Sequence, residues 1–362
     1  MNALFQNESA ISRRTFLGKA VIVTGASLCG LPLLAASGNS TDLEQETLGF
    51  IRRCAREDGG YEPSPDPSYA GTSDTGNSDL AAVTYAVILA KTMGWQLLHP
   101  DRSIEFINRH QRPDGSFMNL AGKFNSHSDL AVLHDTVKGV IALRALGQKP
   151  QIDPLNVLDR FFVDDAFKKL PWFTTSFFPL FYAALGQPFP ERFDQALRSH
   201  QIAQQTEDGY LGDNVPSTFH MVHYFRLVGQ PTPRASEIVA RVLRDQRADG
   251  GWQTGFPARD VHACFDAVFI LRQLGGDTVA VRKAIEKASD WSLRCRNQDG
   301  GFGHFPSRGS SMDAVYLHSD LDAVYFQFGT LIQAGRVSSA SLNLTDANTL
   351  GWGHAMQPGK VY

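Results

Sequence analysis

Two kinds of apolar pattern alternate along this chain. One is a stripe: in Ala280-Val-Arg-Lys-Ala-Ile-Glu-Lys-Ala288 the apolar positions recur at helical spacing with charges between them, as on a helix that buries one face. The other is apolar nearly all round, as in Ala267-Val-Phe-Ile-Leu271, and a helix of that kind has to be enclosed. Where a striped helix ends, the same short turn recurs: Glu57-Asp58-Gly59-Gly60-Tyr61, Pro113-Asp114-Gly115-Ser116-Phe117, Glu207-Asp208-Gly209-Tyr210, Ala248-Asp249-Gly250-Gly251-Trp252 and Gln298-Asp299-Gly300-Gly301-Phe302. Glycine just past a helix adopts the left-handed conformation without a side-chain clash, so each turn reads as a terminator. Asp58, Asp114, Asp208, Asp249 and Asp299 are therefore expected to shape turns rather than to act as catalytic acids.

After each turn comes a polar-capped apolar helix, such as the one opening at Asn77-Ser78-Asp79 and running to Gly94, or the one ending at Leu146-Gly147. The grammar returns at intervals of roughly 40–55 residues, the mark of a repeat architecture. One unit is degenerate, with an inner helix near Thr174 to Gly186 and no Asp-Gly turn ahead of it. The pattern predicts an all-α fold of about six helical hairpins, each pairing an outer amphipathic helix with a buried inner one. No unit is polar enough to cap an open solenoid, so a closed double ring, an α/α toroid, is expected over residues 39–336. The tail from Val337 to Tyr362 lacks the pattern.

Composition narrows the partners. The chain has 362 residues, is 43% hydrophobic and carries 24 phenylalanines, which suits a thick helical core or an apolar cavity. A formal charge of −3 without runs of one sign points away from nucleic acid and from anionic membrane surfaces. The first 38 residues read as a targeting segment: Ser12-Arg13-Arg14-Thr15-Phe16-Leu17 is a twin-arginine motif, followed by an apolar run from Ala20 to Ala36 broken by Gly25, Gly30 and Pro32. That run is too short and glycine-rich for a permanent anchor, so export to the periplasm or beyond is expected. Cys29 leaves with the signal, and Cys54, Cys264 and Cys295 remain, an odd number that implies no disulfide framework.

The turn Gln298-Asp299-Gly300-Gly301-Phe302-Gly303, with its looser copies and the helices ending in Leu-Gly, resembles the repeat of protein prenyltransferase β subunits and of squalene and terpene cyclases. The resemblance implies the toroid, with inner-helix N-termini gathered at one mouth of a central cavity. It also implies two kinds of chemistry. Prenyltransferase β subunits bind zinc through Asp and Cys at the start of one inner helix and His at the start of a later one; here Asp260, His262 and Cys264, with His318, are the candidate ligands. Three residues separate Asp260 from Cys264 where the family has one, so either His262 replaces a ligand or the site is lost. Type II cyclases start an inner helix with Asp-x-Asp-Asp, whose middle acid protonates an alkene; Asp320-Leu321-Asp322-Ala323 keeps two of the three acids, making Asp320 and Asp322 the candidate catalytic residues.

Around these, Phe177, Phe178, Phe181, Tyr182, Phe219, Tyr224, Phe225, Phe265, Phe269, Tyr325 and Phe326 are a supply of rings for an isoprenoid-sized pocket or a core. His220 and His223 share a helix face, and His304, in its turn, is expected at the surface. Export conflicts with protein prenylation, whose diphosphate donors and acceptor proteins are cytosolic. The expectation is an exported prenyltransferase/cyclase-like enzyme, zinc-dependent, acting on an apolar or isoprenoid-like small molecule. The alternative is a toroid that binds a ligand or a protein without catalysis.

Overall fold

The computed structural model describes residues 40–71, 73–123, 125–253, 260–307 and 314–339. The twin-arginine segment and nearly all of the C-terminal tail lie outside the described residues. The helices in chain order are α1 (Ser40–Cys54), α2 (Asp74–Asn77), α3 (Asp79–Met93), α4 (Pro100–Arg109), α5 (Asp129–Ala145), α6 (Phe177–Leu185), α7 (Glu191–Gln204), α8 (Val215–Leu227), α9 (Ala235–Asp245), α10 (Asp260–Leu274), α11 (Val279–Arg294), α12 (Ala314–Leu317) and α13 (Leu321–Gln333), with a kinked 3-10 segment at Leu155–Lys169. No strand is present among the described residues.

Six apolar helices form the inner layer. α3 packs on α5, α5 on α6, α6 on α8, α8 on α10, α10 on α13, and α13 returns to α3, so the ring closes. Every residue of α13 is buried, and in α3 all but Lys91 are. Helices α1, α4, α7, α9 and α11 form the outer layer, each burying one stripe; in α9 the buried residues are Ile238 and Val242. The expected toroid of six hairpins is thus observed. The degenerate third unit has the kinked 3-10 segment as its outer member and a nine-residue inner helix, α6.

The recurrent turns explain how neighbouring hairpins lock together. Four of them are closed by antiparallel bridges, Ala55 to Tyr61, Gln111 to Phe117, Gln205 to Leu211 and Arg296 to Phe302. The turn aspartate holds its own backbone: Asp299 Oδ1 accepts from Gly301 N at 3.0 Å and Ser319 Oγ at 2.8 Å, and Asp58 and Asp249 accept from Gly60 N and Gly251 N in the same way. Gly300 has φ +81°, and a Cβ there would stand 2.6 Å from the Glu46 carbonyl oxygen on α1, which leaves room for hydrogen alone. That contact joins the last hairpin to the first, and the Arg296–Glu46 ion pair lies beside it.

Side-chain caps set where the inner helices begin. Ser78 Oγ accepts from Ala81 N at 3.4 Å, Ser128 Oγ from Ala131 N at 3.2 Å, Asn214 Oδ1 from Ser217 N at 2.8 Å and Asp320 Oδ1 from Ala323 N at 2.7 Å. Each satisfies a backbone N–H that the first turn leaves without an intrahelical partner.

Candidate functional site

All six inner helices line one cavity, which encloses about 1080 Å³ of space, counting the part open to solvent. Its wall is mostly apolar, with Tyr85 and Ile88 from α3, Phe177 and Leu180 from α6, Phe219 from α8, Phe265 from α10, and Tyr325 and Phe326 from α13. Tyr85 stacks on Tyr325 with ring centroids 4.2 Å apart. Of the rings expected from sequence, Phe177, Phe219, Phe265, Tyr325 and Phe326 face this space. Phe178, Phe181, Tyr182, Tyr224, Phe225 and Phe269 belong to the packed core.

Polar groups reach the cavity from the first turns of the inner helices and from α2. His262 Nε2 lies 3.1 Å from Asp322 Oδ2, and its ring stacks on Phe326 at 3.8 Å. Asp74 accepts a hydrogen bond from Tyr85 Oη at 2.8 Å and lies 3.9 Å from His134 Nε2. Ligand atoms of Asp74, His262 and Asp322 all fall within 4.8 Å of one another, and so do those of His304, Asp320 and Asp322. Asp322 is shared by both groups. It is fully buried, and its Oδ1 has no hydrogen-bond partner among the described residues.

The two carboxyls beside His262 are pushed in opposite directions. Burial raises Asp322 above the usual carboxylate range, the negative charges of Asp74 and Asp320 raise it further, and His262 offsets only part of this. Burial also disfavours the charged form of Asp74, but the hydrogen bond from His134 and the positive charges of His262, His134 and Lys138 outweigh it and hold Asp74 well below the usual range. The two carboxyls on either side of this imidazole are thus shifted apart, Asp322 upward and Asp74 downward. Lys138 extends over the Tyr85 ring at 4.0 Å, and burial pulls its ammonium down to about 8. On α8, His220 Nδ1 is 2.7 Å from Ser176 Oγ, and burial pushes this imidazole down to about 3, so it is neutral.

The structure separates the ligands expected for zinc. Cys264 is fully buried on the side of α10 that faces α11, its Sγ 3.9 Å from the Ala288 carbonyl oxygen, and burial raises its thiol far above the ordinary value. It lies two residues from His262, and residues so spaced do not share a helix face. His318 stands at the surface just past α12, its Nδ1 3.6 Å from Asp66 Oδ2. Neither belongs to a cluster with His262 among the described residues. The side chain of Asp260 lies outside them.

The two acids expected to be catalytic have different surroundings. Asp320 is the α13 cap, and its Oδ2 meets Tyr69 Oη and, at 2.8 Å, His304 Nε2. His304 is therefore buried, not exposed as its place in a turn suggested; the pairing with Asp320 draws it inward. Asp322 keeps one oxygen free. Asp79 and Asp135, in similar first-turn or second-turn positions, are tied to His110 and to Ser78 and Asn119, respectively, and read as structural.

A family model described as the prenyltransferase alpha-alpha toroid domain matches residues 21–157 and 180–318. The chain belongs to this family. No curated protein matches the sequence. Among solved structures, the toroid is similar to the unliganded type II terpene cyclase MstE from Scytonema, with a TM-score of 0.51 and 14% identity, covering 82% of this chain and 97% of that one. A variant of MstE in complex with its substrate, geranylgeranyl dihydroxybenzoate, matches with a TM-score of 0.50 and 14% identity, covering 88% of this chain and 98% of that one. At this identity the likeness is one of fold.

Proposed function

We propose that this toroid is a terpene-cyclase-like enzyme that cyclises an isoprenoid-like alkene by protonating it, with Asp322 as the acid. The observation that carries the reading is the pair of carboxyls around His262 at one end of a chamber walled with aromatic rings: Asp74 in the lining, and Asp322 fully buried behind it with one oxygen unpartnered among the described residues. Environments that drive two carboxyls apart assign them to acid and base roles. The fold shared with a type II terpene cyclase, one structure of which holds a geranylgeranyl substrate, supports the same direction.

Asp322 lies behind the lining formed by Asp74 and His262, and in this reading the His262 ring moves aside for the terminal double bond to reach it. The Asp322 O–H proton passes to the alkene, leaving a tertiary carbocation that the next double bond attacks with its π pair. Tyr85, Phe265, Tyr325 and Phe326 line this space with aromatic rings, which attract cations more than an aliphatic wall would. Proton loss from the last cation ends the reaction, and a proton returned through His262 restores Asp322. Asp74 offsets the positive charge that develops nearby. The twin-arginine motif supports export of the folded enzyme.

A metal reading of the same end of the chamber is favoured by one observation, the orphaned Asp322 Oδ1 beside the donors of Asp74 and His262. Nitrogen and oxygen donors of this kind fit zinc, which Asp74, His262 and Asp322 would hold and which would supply Lewis acidity there. Incubating chelator-treated protein with linear polyprenyl alcohols in D₂O separates the two. A cyclic isomer carrying one deuterium, formed without metal, supports protonation by the protein. Activity that vanishes on chelation and returns with zinc supports the metal.

A further inference from the structure

The buried acids of this protein nearly all have partners. Asp79 has His110 and two backbone N–H groups, Asp135 has Ser78 and Asn119, Asp320 has His304 and its cap, and Asp322 has His262. Asp266 has none. It sits on α10 one helical turn beyond His262, 2% exposed, in the chamber wall, and makes no hydrogen bond or ion pair with any described residue. Burial pushes its carboxyl well above the usual range, with no neighbouring charge to oppose it.

Without a partner among the described residues, this carboxyl is left to whatever fills the chamber, and a ligand that displaces water from it without replacing the hydrogen bond loses affinity. When protonated, the form burial favours, a carboxyl offers one O–H donor and a carbonyl acceptor, the complement of a neutral oxygen group. An anion would be better served by the Lys138 ammonium held over Tyr85. We propose that Asp266 is a ligand-recognition residue, and that the chamber takes an oxygenated isoprenoid, an alcohol or ketone whose oxygen is buried against this side chain, in preference to the hydrocarbon. This rests on the chamber being the binding site, as in the proposed function, and not on any catalytic step.

The test is binding without turnover. Affinities of the protein for all-trans geranylgeraniol and for the same chain ending in methyl are measured by quenching of intrinsic fluorescence, alongside geranylgeranic acid. The wild-type protein is expected to prefer the alcohol by about tenfold or more, since a site built around a buried polar group rejects analogues that leave it unpaired. Asp266→Leu abolishes the preference by tightening the hydrocarbon and weakening the alcohol, while Asp266→Asn, which keeps a donor and an acceptor, retains part of it. Equal binding of alcohol and hydrocarbon, a preference unchanged in Asp266→Leu, or a stronger preference for the acid overturns the inference and leaves the cyclase reading standing. Binding of none of the three overturns both. Loss of turnover with the alcohol preference intact overturns the cyclase reading alone.

Discussion

His262 and Asp322 meet across the seam between the last two inner helices, Nε2 to Oδ2 at 3.1 Å, with the His262 ring laid on Phe326. The pair couples the chamber wall to a carboxyl that is otherwise sealed off. Replacing His262 by Ala is expected to lower cyclisation by about 10²–10⁴-fold, the usual span for a positioned proton-transfer group. Asp322→Asn, combined with it, should add little, because groups acting as one unit lose their effect together. Rates of product formation for both single variants and the double variant check this.

Buried groups tilt the pH profile of stability in opposite directions: His220, lowered to about 3, contributes stability that is lost as the pH falls below about 6.5, whereas the raised groups contribute stability that is lost as the pH rises. Asp322 and Asp266 hold protons in the folded protein that they release when unfolded, so their contribution is complete below the ordinary Asp value near 3.9 and is lost above it. His304 and His134 act in the same sense: burial disfavours their charge, but Asp320, and Asp135 with Asp74, more than compensate, so their stabilisation fades as pH rises past about 6.5 through the raised folded values. Asp266→Asn removes one of these sites. It should flatten the profile, as read by urea denaturation between pH 4.5 and roughly 8.

Two glycine positions with similar backbone angles should respond differently to alanine. Gly300 and Gly147 have φ +81° and +75°, but a Cβ at Gly300 meets the Glu46 carbonyl oxygen at 2.6 Å, whereas at Gly147 nothing lies within 4 Å. Gly147→Ala should cost about 1–2 kcal/mol from left-handed strain alone. Gly300→Ala should add about 1–3 kcal/mol for overpacking the junction that closes the ring. Thermal or chemical denaturation of the two variants measures the difference.

The thiols should be inert. Cys54, Cys264 and Cys295 are buried, and burial raises all three. A thiol reagent is expected to label none of them at neutral pH until the protein unfolds, because the thiolate is the reactive form. Cys264→Ala should likewise leave any bound metal in place, while His262→Ala and Asp74→Asn should release it, as metal analysis of the purified variants would report.

The hairpins were legible because their signals are local: Ser78, Ser128 and Asn214 cap where an apolar run starts, and Gly94, Gly147 and Gly229 turn left-handed where it stops. The site was legible in part. His262 and Asp322 stood out as first-turn residues of neighbouring inner helices, but Asp74 lies in a polar loop and joins them through the packing of α2 on α3 and α13, which no spacing reveals. Cys264 was drawn into the expected ligand set by chemical type, although a spacing of two residues turns it away from His262. Asp266 did carry a signal: an acid inside an apolar helix, four residues from His262, falls on the same face.

Turnover by Asp322→Asn beside the unaltered protein, both freed of metal, tests the central claim most directly. With a linear polyprenyl alcohol in D₂O, the unaltered protein should yield a cyclic isomer with one deuterium, and the variant, folded and still binding the alcohol, should yield at least about 10²-fold less. Equal yields from the two, or unchanged linear alcohol from both, would contradict it.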